Sequence, residues 1–254
     1  MDRSVAVRPL GRRGPIHSLV VDLAPLDRSA LEGDVLAVAR ALLGQLVVRR
    51  ERRGALTVGR IVEVEAYGGE GLDQSAHSYR GPTPRCEVMF GPAGHAYVYA
   101  TQGRCVCLNV CAAGDGSGKA VLLRALEPVE GVTRMRKRRL VRLASGPTRE
   151  RLLAGNDHEL AQGPGRLCLC LDVDRTLNGV DLTDGGGPLF LAEGEPASEV
   201  LWTPRVGLNP KSEAFGWMWR GLVPGNRAVS PPKGTRGGRP SPSPSLKALR
   251  AGRA

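Results

Sequence analysis

The stretch GRIVEVEAYGG, residues 59–69, decides how the chain is built. Ile61, Glu63, Glu65 and Tyr67 alternate with Val62, Val64 and Ala66, the period of two that marks a β-strand. Glutamate is disfavoured in strands, and a half-buried strand would be satisfied by Thr or Tyr at those places. A face carrying two carboxylates and a phenol is therefore either solvated or lining something.

Upstream, QLVVRR (45–50) reads as a second strand, joined to the first by a polar turn over residues 52–54, so the two form a hairpin. GDVLAVARALLGQ (33–45) precedes it with an N-capping Asp34, apolar residues at Val35, Leu36, Ala39, Leu42 and Leu43, and Gly44 as a stop, which predicts a helix. Downstream, residues 70–94 are too rich in Pro and Gly for regular structure, and a loop of that length invites a functional reading. His77 lies in it. HAYVYATQGRCVCLNVC (95–111) gives two alternating runs about Gln102-Gly103, a second hairpin. KAVLLRALEP (119–128) is an apolar strand interrupted by Arg124, and Pro128 leads toward a basic helix. Two short helices are expected within residues 146–173, then a loop and a short strand up to residue 194.

The chain has 254 residues and a formal net charge of +11, with 41% apolar and 24% charged residues. That fits one sizeable domain with tails. Its charge suggests a polyanionic partner, and six of the eleven net charges fall after Ser230, where Lys233, Arg236, Arg239, Lys247, Arg250 and Arg253 meet no acid. Six of the nine residues 134–142 are also basic, as a solvated helix face or a phosphate-contacting one. Residues 1–17 read as a flexible basic arm, 18–231 as the folded domain and 232–254 as a disordered Pro/Ser-rich basic tail. No stretch approaches the roughly 20 apolar residues of a membrane helix. A soluble, unsecreted protein is expected.

The six cysteines lack paired Cys-x-x-Cys spacing, and the reading is free thiols, with Cys105, Cys107 and Cys111 on one buried strand face. GDGSGKA (114–120) is not a phosphate loop, since Ala113 and Ala120 stand where the pattern requires Gly and Ser or Thr. No Gly-x-Ser-x-Gly elbow, His-Glu-x-x-His helix or deaminase signature occurs. What remains is Glu63, Glu65, Tyr67, His77, Tyr97, Tyr99, Asn109 and Arg124, spread over neighbouring strands and one loop. Each has an ordinary structural explanation; together they could form one site.

Taken in order, ALLGQLVVRR (41–50), GRIVEVEAYGG, AHSYRG (76–81), TPRCEVMFGPAGHAYVYATQGRCVCLNV (83–110), AVLLRALEPVEG (120–131), ELAQGPGRL (159–167) and DLT (181–183) resemble the alkyladenine, or 3-methyladenine, DNA glycosylase family. RVGL (205–208) and VPGNRAVS (223–230) extend the resemblance. It implies an α+β fold, a single domain with a curved, mostly antiparallel sheet, surrounding helices and a DNA-inserting β-hairpin. It also implies a monofunctional enzyme that flips alkylated purines from duplex DNA and hydrolyses the N-glycosidic bond. Glu65 matches the general base of the family, a role worth about 10² to 10⁴ in rate. Arg124 would sit beside the same water and a DNA phosphate. Tyr67, His77 and Tyr99 match residues that sandwich the flipped base, and Asn109 one that crowds out the guanine amine. No cofactor or metal is implied. The resemblance leads one to expect double-stranded DNA with damaged purines as the partner, a monomer off the membrane, and a place in the cytoplasm or nucleoid of a bacterium or the nucleus of a eukaryote.

Three departures stand out. Gln102 occupies the hairpin-tip position where the family carries an intercalating Tyr, and Gln stacks less well; neighbouring Arg104 could add a phosphate or minor-groove contact. Cys86 replaces an Asn, and EAFGWMWRGL (213–222) departs from the usual last strand, so Trp217 and Trp219 read as core. The alternative is a non-catalytic or weakly catalytic nucleic-acid binder of the same fold, and a third class is a cysteine-based metal module.

Overall fold

Asp34 turns the chain into its first helix by accepting hydrogen bonds from the Leu36 and Ala37 amides, two of the donors a helix start leaves without partners. The computed structural model describes residues 23–101 and 105–231. The arm at 1–17, the tail at 232–254 and the hairpin-tip residues Gln102 and Arg104 lie outside the described residues. Helix α1 (Val35–Leu42) is followed by β1 (Leu46–Arg50), β2 (Leu56–Tyr67), β3 (Ala96–Thr101), β4 (Cys105–Ala112) and β5 (Lys119–Glu130). Then come α2 (Val132–Val141), α3 (Pro147–Leu153), β6 (Ala161–Gln162), α4 (Pro164–Leu171), β7 (Leu189–Ala192), β8 (Leu201–Thr203) and β9 (Arg220–Leu222).

Among the described residues these strands make one nine-stranded sheet with the path β3-β4-β5-β2-β1-β7 and antiparallel ladders throughout. Strand β2 is its centre: β5 runs along one edge, while the other edge pairs first with β1 and then, at Glu63 to Glu65, with β9. The fold is the expected single-domain α+β arrangement. Helices cover one face. Val35, Val38, Ala39 and Leu42 of α1, Met135 of α2, Leu152 of α3 and Leu167 and Leu171 of α4 share one core with Ile61, Val64, Val121, Leu123 and Leu126 of the central strands. Each Val, Leu, Ile or Met side chain among them taken out of water stabilises the fold by about 1.5–3 kcal/mol.

The strict alternation expected for β2 breaks once, and the break places the site. Ile61 pairs with Leu126 and Glu63 with Ala125, which skips Val62; Glu63 then pairs with Ala125 and Val64 with Leu123, which skips Arg124. Two one-residue bulges thus face each other. Ile61 consequently does not share the glutamate face. It lies in the main core with Val64 and Ala66, while Val62 packs on the other side with Ala125 and Ala228. Bulges re-aim side chains, and this one turns Arg124 toward both glutamates.

Smaller corrections follow the same logic. Strand β5 runs past Pro128 to Glu130, because the Pro falls at its outer end. The long loop holds a 3-10 turn over Glu87–Phe90, whose Met89 is buried. Cys105 is exposed at the end of β4, whereas Cys107 and Cys111 are buried, and all six cysteines are free thiols. The basic helix matches neither expectation in full: Arg134, Arg136 and Arg138 are tied down by Glu51 and Asp157, Arg139 is buried, and Lys137 and Arg142 face solvent. No helix among the described residues is long and apolar enough to cross a membrane.

Candidate active site

The face of the sheet opposite the helices is covered by the loop after β2 and by residues 205–208, and between them lies a cavity of about 340 Å³. That is within the roughly 300–1,000 Å³ range of small-molecule sites. Glu65, Tyr67, His77, Tyr99, Asn109 and Arg124 all line it, so residues 59 positions apart in sequence meet in one space. Tyr97, Cys107 and Val206 join them. Glu63 does not.

Strand pairing puts these groups there. Tyr97 faces Asn109 and Tyr99 faces Cys107 across β3 and β4, and Asn109 faces Leu122 of β5, which in turn faces Glu65. Asn109 is held by donating through its side-chain amide to the Tyr97 carbonyl at 2.9 Å. The rings of Tyr97 and Tyr99 stack at 5.3 Å with 28° between planes. His77 meets Tyr99 edge-on at 4.5 Å, and its Nδ1 shares a 2.8 Å hydrogen bond with the Tyr97 hydroxyl. Burial, with the Arg85 guanidinium adding to it, holds the His77 imidazole down at about 4, so near neutral pH the ring is uncharged. Burial pushes the Tyr97 phenol up to about 12 and the Tyr67 and Tyr99 phenols up as well. All three remain donors.

Glu65 is fully buried in the wall of the cavity. One oxygen accepts from the Val206 amide at 2.7 Å; the other accepts from the Tyr67 hydroxyl at 3.1 Å and lies 3.2 Å from the Arg124 guanidinium. A carboxylate has about four acceptor positions, and these two hydrogen bonds occupy two of them, with the Arg124 cation paired beside the second oxygen. The Tyr67 ring is fixed from behind by Arg205, whose guanidinium carbon is 4.6 Å from the ring centroid. Arg205 is itself clamped by Asp73 at 2.5 and 3.0 Å and donates to the Ala66 carbonyl. Asp73 also accepts from the Gly68 and Ser75 amides, which fixes the start of the loop that carries His77.

Behind the cavity wall, Glu63 is fully buried and fully used. Its Oε1 accepts from Arg124 Nε at 2.8 Å, Arg220 Nε at 2.7 Å and Ser230 Oγ at 2.8 Å, and its Oε2 accepts from the Ser230 amide at 2.6 Å. Burial alone would raise this carboxyl, but Arg124, Arg220 and Ser230 outweigh it and hold it below the usual range. Burial likewise disfavours the Arg124 cation, and the two glutamates more than restore it.

Arg205, Val206, Asp73, Arg220 and Ser230 escaped the sequence reading as site residues. RVGL and VPGNRAVS flagged two of the segments, but a backbone amide leaves no residue-type signal, and Asp73 looks like any loop Asp. Among the described residues no cluster of three or more His, Cys, Asp or Glu could hold a metal ion.

A sequence model of the methylpurine-DNA glycosylase family matches residues 29–227. A Clostridium acetobutylicum protein with the provisional name of a 3-methyladenine DNA glycosylase is 41% identical over 207 residues, 81% of this chain and 97% of that protein. Proteins of the same provisional name from Streptomyces avermitilis and Methanoculleus marisnigri are 42% and 43% identical, covering 83% and 78% of this chain and 92% and 95% of their own lengths.

Proposed function

The chain belongs to the methylpurine-DNA glycosylase family and is a DNA glycosylase; from that premise we propose that it removes alkylated purines, 3-methyladenine and 7-methylguanine among them, by flipping them into the cavity beside Glu65. One observation carries the reading: Glu65, held by two hydrogen bonds and the Arg124 ion pair with acceptor capacity to spare, lines the same cavity as Tyr67, His77 and Tyr99. The spare capacity suits a water.

In this reading Glu65 takes a proton from the water as its oxygen bonds to the sugar C1′. The C1′–N bond breaks, its electron pair leaves with the purine, and an abasic site remains. Alkylation at N3 or N7 makes the purine cationic and a good leaving group, so a single placed carboxylate suffices where ordinary glycoside hydrolysis uses two. A positively charged ring also gains from aromatic faces, and an uncharged His77 does not repel it. Arg124 orients Glu65. Asn109 narrows the cavity against the exocyclic amine of normal guanine, which is selection by exclusion. A damaged base costs less to extrude, which adds to selectivity. Gln102 and Arg104 act at the hairpin tip against DNA, residues 18–231 form the glycosylase domain, and the protein acts as a monomer without a cofactor.

The test is release of free base from methylated duplex DNA. Wild-type protein is expected to release 3-methyladenine and 7-methylguanine, and Glu65→Gln to lower the rate by about 10² or more. No release above the Glu65→Gln control would sink the reading.

A further inference from the structure

Glu63 is a buried charge that never touches the cavity, yet it holds the same guanidinium that touches Glu65. We propose that Glu63 is a positioning residue for base excision, acting through Arg124; this rests on the reading of Glu65 as the base.

The argument starts from what a guanidinium does beside a carboxylate. Left free, Arg124 would turn its flat edge to Glu65 and bind it through two parallel N–H bonds, the preferred and stronger geometry. With the Val206 amide and the Tyr67 hydroxyl, that would fill all four acceptor positions of Glu65 and leave none for water. Here Glu63 Oε1 holds Nε at 2.8 Å, which turns the Nε–Nη2 edge toward Glu63 and leaves Nη1, on the far side of the guanidinium, 3.2 Å from Glu65. Glu63 in turn cannot swing away, because Arg220 Nε, Ser230 Oγ and the Ser230 amide hold both of its oxygens. Charge leads to the same conclusion. Two carboxylates and two guanidiniums balance in this cluster, and removing the Glu63 charge would leave Arg124 and Arg220 with one carboxylate between them. Arg124 would then draw closer to Glu65 and offset the negative charge that an oxocarbenium-like sugar needs nearby. The opposed bulges at Val62 and Arg124 exist where this cluster sits, which is how Arg124 comes to point to the face that carries Glu63 and Glu65.

The experiment is single-turnover base release from a duplex carrying one alkylated purine, with binding to the same duplex measured separately, for wild type, Glu63→Gln, Glu63→Asp, Arg124→Gln and the Glu63→Gln/Arg124→Gln double variant. Glu63→Gln should slow release on the order of 10²-fold, as misplacements of about 1 Å do, while lesion-DNA affinity changes by less than about twofold, within the error of an additive site. Glu63→Asp, which keeps the charge, should recover part of the rate. The double variant should be no slower than Arg124→Gln alone, because a residue acting through Arg124 has nothing left to act on. Should Glu63→Gln not yield folded protein, Ser230→Ala removes one donor to Glu63 while sparing both ion pairs, and its smaller loss should likewise vanish in the Arg124→Gln background. Losses that multiply, or an unimpaired Glu63→Gln, overturn the role of Glu63 alone. Wild-type protein that releases nothing overturns the glycosylase reading, and this role with it.

Discussion

His77 shows how one side chain couples site and stability. It projects from the loop after β2 at the exposed rim of the cavity, and burial against Tyr97 and Tyr99, with Arg85 nearby, lowers its pKa from 6.5 to about 4. A depressed folded-state value means the unfolded chain binds the proton more readily. The stability contributed by neutral His77 is therefore complete above pH 6.5 and is lost as pH falls through about 4. Because the ring edge meets solvent, the loss is smaller than for a sealed histidine. Urea denaturation at several pH values should show wild type weakening more steeply between pH 6.5 and 4 than His77→Gln; identical slopes would mean the imidazole titrates as freely in the folded protein as in the unfolded one.

At the scale of elements, the Asp73–Arg205 pair joins the loop after β2 to the segment before β9. Both side chains are fully buried, and Arg205 also backs the Tyr67 ring. Breaking such a pair from one side leaves a charge without a partner in the interior, at a cost of about 3–5 kcal/mol. Arg205→Met should lower the urea midpoint accordingly, and a loss below about 1 kcal/mol would show that Asp73 finds water or another donor. The elements themselves were largely legible. Alternation marked both hairpins, Asp34 marked the first helix, and the collinear motifs gathered Glu65, Tyr67, His77, Tyr99, Asn109 and Arg124 before any geometry was known. What stayed hidden was the phase of β2. Alternation places Ile61 beside Glu63, and only the pairing with β5, about 60 residues away, introduces the bulges that send Ile61 to the core. Spacing alone put Glu63 beside Glu65 and the motifs singled out Glu65, but that Glu65 lines the cavity while Glu63 holds its wall is visible only in the structure.

For the molecule as a whole, charge is the relevant quantity. The net +11 suits a DNA partner, yet three arginines of α2 are committed to internal acids. The six cations after Ser230 face no acid in their own segment. Each phosphate they neutralise adds about 0.9 to the slope of log affinity against log salt. A chain ending at residue 231 should therefore bind undamaged duplex with a shallower salt slope, by up to about five if all six cations make contacts. An unchanged slope would show that the tail takes no part in holding DNA.

The facing bulges can also be viewed as a bound pair of phase defects of opposite sign. Before them Arg60 pairs with Glu127 and after them Val64 pairs with Leu123, a register that resumes as if nothing had intervened. The inward face, however, has switched parity in both strands at once. A charged cluster is thereby inserted into an apolar sheet without its disorder spreading to neighbouring strands. The two defects compensate: deleting Val62 alone would leave Glu65 and Tyr67 facing the cavity, but a ladder re-formed without bulges would then turn Arg124 into the apolar core and Leu123 out of it.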